Sequence, residues 1–99
     1  MKRYTLTAAL GQATAADDKQ RTVMLGDLAA VEAAQQNPEA ACTRAEQALE
    51  QLAITWYATG MDRVLEVRKA LRPWNDLDCV QALDDRLYGW QATLSTLQR

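Results

Sequence analysis

Residues 77–97 read LDCVQALDDRLYGWQATLSTL, and the fold turns on how that stretch is read. Val80, Leu83, Leu87, Trp90, Leu94 and Leu97 recur at alternating steps of three and four. Side chains on an α-helix turn about 100° per residue, so this spacing gathers them on one side. Asn75, with Asp78 three residues on, resembles a polar variant of the capping box that opens a helix. A helix with such an apolar stripe needs a surface to cover it. The upstream chain therefore has to supply other helices, and the C-terminal helix is expected to be the spine of the fold.

Working back toward the N-terminus, Pro73 ends the preceding helix, because the residue before a proline is biased away from helical angles. Val64, Val67 and Leu71 form the stripe of that helix. Before it, Cys42, Ala45, Leu49, Leu52 and Trp56 share a face, with Glu46, Gln47, Glu50 and Gln51 on the other side. The two stripes are about one residue out of register on a heptad count, which places a turn at Thr59-Gly60, capped by Thr59 or Asp62. A single bent helix from Pro38 to Arg72 is the alternative. Asn37-Pro38-Glu39 is the clearest boundary in the chain, combining a favoured N-cap, a favoured first-turn proline and an acidic first turn.

A first helix is expected from Thr14–Asp18 to about Gln36, with Asp17 and Asp18 at the positive end of its dipole. Its main stripe reads as Met24, Leu28 and Val31, with Gly26 marking a kink and Asp27 capping the second piece. Tyr4, Leu6, Ala8 and Leu10 alternate as in a short strand, but a lone strand has no ladder partner here. Residues 1–13 are accordingly expected to be a flexible arm, and 14–99 one domain. The fold class is all-α: a small antiparallel bundle of three to four helices.

Composition supports helix and narrows function. The chain has 99 residues, enough for one modest core, with only four glycines and two prolines to interrupt helices. Isoleucine occurs once, at Ile54, and a sheet would want more β-branched residues. A net charge of −2 gives no general pull toward nucleic acid or anionic lipid. Histidine is absent, removing the commonest general base and zinc ligand together. Cys42 and Cys79 lack metal-ligand spacing. Both fall in the first turns of helices, and an up-down-up path would bring them to the same end of the bundle. In a reducing compartment they should remain thiols. Lys2 and Arg3 before Leu6–Leu10, with Ala13-Thr14-Ala15, have the outline of a secretory leader. The apolar segment is too short and too diluted, so a cytoplasmic protein with no membrane span is expected.

Three constellations carry functional readings. Tyr57-Ala58-Thr59-Gly60-Met61-Asp62-Arg63 resembles the turn of a helix-turn-helix, and that resemblance would set Arg63, Arg68, Lys69 and Arg72 toward phosphate. It also puts Trp56 where the motif packs a small residue and Glu66 where it buries an aliphatic one. An ordinary bundle turn with a solvated basic face is the plainer reading. Asp76, Asp78, Asp84 and Asp85 cluster at the start of the last helix, where anions offset the helix dipole without any catalytic role. Tyr57, Trp74 and Tyr88 fall off the stripes of their own segments, and off-stripe aromatics are enriched at protein interfaces. A second lane on the last helix, Cys79, Ala82, Gly89, Thr93 and Thr96, is small enough to admit another helix.

The residues thus point to no catalytic site, no metal and no cofactor. The first expectation is a non-catalytic protein-binding module: a small adaptor, dedicated chaperone or inhibitor of a larger assembly, of bacterial or phage type. Its partner is another protein or a second copy of the chain, with Tyr57, Trp74 and Tyr88 as candidate contacts. The alternative is a small nucleic-acid-binding regulator using Arg63, Arg68, Lys69 and Arg72.

Overall fold

The computed structural model describes residues 15–97, and the side chains of 17–94. The expected arm at 1–13 lies outside the described residues. Within them, all regular structure is helical: α1 (Ala15–Ala34), α2 (Pro38–Ile54), α3 (Ala58–Ala70), a 3-10 turn (Arg72–Trp74) and α4 (Asp78–Leu97). The four helices pack as the expected antiparallel bundle. Thr55 after α2 donates a 2.8 Å hydrogen bond to Asp18 at the start of α1, so those two helices run in opposite directions. Arg86 reaches Glu46 at 3.0 Å and Trp90 meets Trp56, so α2 and α4 run the same way.

α1 ends without glycine. Gln36 takes a left-handed backbone, φ 64°. Its N–H reaches the carbonyl of Ala33 at 3.0 Å, and the N–H of Asn37 reaches Glu32 at 2.8 Å. This is a Schellman closure, which satisfies two carbonyls that a helix end leaves open. Pro38 then opens α2 as expected, although the Asn37 side chain makes no capping bond.

The rotation of α1 differs from expectation. Thr22, Gly26, Ala29 and Ala33 face inward, while Met24, Leu28 and Val31 are 54%, 43% and 50% exposed. The reason is steric. A Cβ on Gly26 would lie 2.8 Å from Cβ of Arg63, and one on Gly60 would lie 2.5 Å from Cγ2 of Thr22. Helices this close accept only small residues between them, and the lane carrying the larger side chains has to turn outward. Gly26 therefore marks a close approach of α3. It makes no break in α1, which runs through it.

The second difference is the position of the α2–α3 turn. It falls at Thr55–Tyr57, where Thr55 and Tyr57 are extended, and Gly60 sits inside the first turn of α3, buried. The segment from Pro38 is thus two helices and not one bent helix.

The core joins Ala41, Cys42, Ala45, Ala48, Leu49 and Leu52 of α2 to Ala29 and Ala33 of α1. It continues through Met61, Val64, Val67 and Leu71 to Val80, Leu83 and Leu87. The α4 stripe is buried as its spacing implies, with Trp90 and Leu94 half-buried. The element that touches every other helix, however, is α2, and α4 rests chiefly on it. The small side chains of α2 let its neighbours approach closely, which places it at the centre.

Candidate functional site

The described surface carries two apolar regions. The first is the outer face of α1. Met24, Leu28 and Val31 follow one another by four and three residues, so their side chains form one continuous lane along the helix. One edge of the lane is marked by Asp27, whose carboxylate accepts a 3.0 Å hydrogen bond from Arg63 of α3. A helix face of this kind, large and apolar at the centre and charged at the edge, has the anatomy of a helix-in-groove contact.

The second region lies where α2 ends. Trp56 stacks on Trp90 with ring centroids 5.5 Å apart and planes inclined by 30°. Trp56 was expected on the buried face of α2, but that helix stops at Ile54 and the indole remains 42% exposed. Ile54 and Tyr88 are each 75% exposed. Beside the stack, Arg86, Gly89, Trp90 and Thr93 line an open groove of about 350 Å³. Apart from the backbone of its own helical turn and its two chain neighbours, nothing lies within 4 Å of where a Cβ on Gly89 would be. The small-residue lane of α4 thus faces outward here.

The three aromatic candidates separate. Tyr88 stands in solvent on α4. Tyr57 is half-buried against the core at the α2–α3 connection, with Nζ of Lys19 5.3 Å above its ring. Trp74 is half-buried in the 3-10 turn, also against the core. Tyr57 and Trp74 flank α3 at its two ends, about 20 Å apart at the usual helical rise. The three therefore do not form one patch. The exposed lane of α1 was read from the sequence as core, and Trp56 likewise. The signal that could have reversed α1 was the parallel lane of Thr22, Gly26, Ala29 and Ala33, spaced just as regularly.

The four basic candidates divide in two. Arg63 is held by Asp27. Arg68 forms a forked pair with Asp84: Nε donates to Oδ1, and Nη2 donates to Oδ2 at 2.9 Å. Nη2 also donates to Asn75 Oδ1 at 2.8 Å. Those bonds to Asp84 hold the guanidinium pKa above its ordinary value. Asn75 is thereby drawn toward α3 and away from capping α4, whose first turn is closed by N–H groups of Val80 and Gln81 on the Leu77 carbonyl. Lys69 and Arg72 are exposed. The glycine expected at a helix-turn-helix turn sits within α3, so the turn itself is not at Gly60.

Asp84 is the member of the acidic cluster that has a structural task, as the partner of Arg68. Among the described residues, no group of three or more His, Cys, Asp or Glu side chains is placed to hold a metal ion. No described helix is long and apolar enough to cross a membrane. Cys42 is buried and Cys79 half-buried beside it, both as free thiols. Comparison with protein-family models, curated proteins and solved structures finds no match to this chain.

Proposed function

We propose that the chain is a non-catalytic protein-interaction module, an adaptor, dedicated chaperone or inhibitor of a larger assembly, and that the outer face of α1 is its contact surface. The observation that supports this reading is the exposure of Met24, Leu28 and Val31 on one lane of a 20-residue helix. Each of the three is about half exposed, so each forgoes about half of the roughly 1.5–3 kcal/mol that full burial of such a side chain supplies. Contiguous apolar patches of this kind are a mark of contact surfaces. Tyr88 supplies a second exposed anchor on α4, whereas Tyr57 and Trp74 are engaged with the core.

The test compares the wild-type chain with a variant carrying Met24→Ser, Leu28→Ser and Val31→Ser. Both are immobilised at equal density and challenged with native lysate, and bound proteins are quantified by mass spectrometry. The expected result is a protein retained by the wild type and lost by the variant, with unchanged circular dichroism. If every retained protein binds both chains equally, the α1 face is not the contact surface.

A further inference from the structure

We infer that Cys42 and Cys79 form a redox-modification site, at which a peroxide or an oxidised low-molecular-weight thiol closes an intrachain disulfide between α2 and α4. The placement follows from the packing of the two helices. They run in the same direction, in a register held by Glu46–Arg86 at 3.0 Å and by the Trp56–Trp90 stack at 5.5 Å. That register brings the start of α4 against the start of α2. There Cys42 belongs to the core, and Cys79 packs against that core. The two thiols are near neighbours, close enough that Cys79 adds to the upward shift of the Cys42 pKa. Their positions in the fold differ in a way that assigns roles. Cys79 is half-buried and reachable from solvent, while Cys42 is only 1% exposed.

The chemistry balances with hydrogen peroxide as the oxidant. The Cys79 thiolate attacks one peroxide oxygen, the O–O bond breaks, and the departing hydroxide takes up a proton to leave as water. Cys79 is then a sulfenic acid. The sulfur of Cys42 attacks the sulfur of Cys79, the S–O bond breaks, and a second water leaves with the proton of Cys42. Peroxide gains two electrons and the two thiols lose them together. Burial pushes the Cys42 thiol up to about 12, with the neighbouring Cys79 adding to the shift. A thiol so protonated is a poor first nucleophile, so Cys79 reacts first and Cys42 resolves it. With oxidised glutathione the same order holds, a mixed disulfide on Cys79 replacing the sulfenic acid and a glutathione thiol leaving.

The consequence is mechanical. α4 rests chiefly on α2, so one covalent link near its first turn pins the helix that carries Tyr88 and the groove beside Trp90. Oxidation and reduction thus set how freely α4 moves on the rest of the bundle.

The experiment uses the full chain, treated with hydrogen peroxide and, separately, with oxidised glutathione, then digested without reduction and analysed by mass spectrometry. The expected result is loss of both free thiols, a cross-linked peptide joining residues 42 and 79 in monomeric protein, and its reversal by dithiothreitol. Hydrogen exchange of α4 amides should slow in the oxidised form. In Cys79→Ser, Cys42 should stay a free thiol at the same dose. In Cys42→Ser, Cys79 should be trapped by dimedone as the sulfenic acid. Overturning results are two thiols that persist, over-oxidation of each cysteine separately, or disulfides that join two chains. The wild-type measurement decides the matter even if either variant folds poorly.

Discussion

Replacing Gly60 by alanine should destabilise this protein, although helix propensity alone says the opposite. Gly60 lies in the first turn of α3, and alanine there would gain up to about 1 kcal/mol from propensity. The new Cβ would meet Cγ2 of Thr22 at 2.5 Å, Cβ of Thr22 at 3.2 Å and Cδ2 of Leu52 at 3.4 Å. Thr22 and Leu52 are at most 1% exposed, so neither can swing away. Overfilling a packed interior costs about 1–3 kcal/mol, and the net loss should be about 1–2 kcal/mol. Thr22→Ser supplies the control, since it removes Cγ2 but keeps the hydroxyl that donates to the Asp18 carbonyl at 3.1 Å. On that background the alanine methyl occupies the vacated space, and Gly60→Ala should be neutral or stabilising. Urea denaturation of the four proteins in the cycle gives a coupling of about 1–2 kcal/mol between the two sites. If Gly60→Ala stabilises the parent, or costs the same on both backgrounds, α1 and α3 are not in the contact described.

Four further outcomes follow from the geometry. Gln36→Gly should raise stability by about 0.5–1 kcal/mol in chemical denaturation, because glycine takes the left-handed backbone without a Cβ penalty. Asp84→Asn should cost about 1–2 kcal/mol in the same assay by loosening the fork from Arg68, a part-buried charge-assisted pair. Cys42, raised from 9.0 to about 12, stays a neutral thiol in the folded chain while its unfolded counterpart ionises, so stability should fall as pH rises from 9 toward 12. That alkaline slope should shrink in Cys42→Ala, read as the difference between the two denaturation curves. Closing the Cys42–Cys79 disulfide, a loop of about 40 residues, should add about 4 kcal/mol on the chain-entropy model, measured as the shift in urea midpoint between oxidised and reduced protein.

The helices were legible in the sequence because three signals agreed. The proline at 38, the 3–4 stripes of α2 and α4, and the proline at 73 each mark a boundary or a buried face by local physics. Val80, Leu83 and Leu87 are accordingly where their spacing places them. What one helix cannot reveal is which of two equally regular lanes its neighbours prefer. On α1 the larger side chains of Met24, Leu28 and Val31 outweigh a lane of threonine, glycine and alanine in any hydrophobicity count. The alanines of α2 and the glycine of α3 reverse that order, because close backbone contact excludes large residues. Gly60 misled for the same reason: it is small to admit Thr22, not to make a turn. The turn at Thr55–Tyr57 has no glycine or proline to announce it. Of the candidate contacts, Tyr88 stands exposed as its off-stripe position implied. Tyr57 and Trp74 show that an off-stripe aromatic can equally close the edge of a core.

The most direct measurement is the relative rate of side-chain oxidation at Met24 and Met61 by hydroxyl-radical footprinting of the free protein, read by mass spectrometry. Met24 is 54% exposed on the outer lane of α1, and Met61, in the core, is 7% exposed. Thioether oxidation follows solvent access, so Met24 should be modified readily in dilute monomer while Met61 is protected. Equal protection of the two in dilute monomer would mean that the Met24–Leu28–Val31 lane faces inward, and would contradict both the packing of α1 and its assignment as the contact surface.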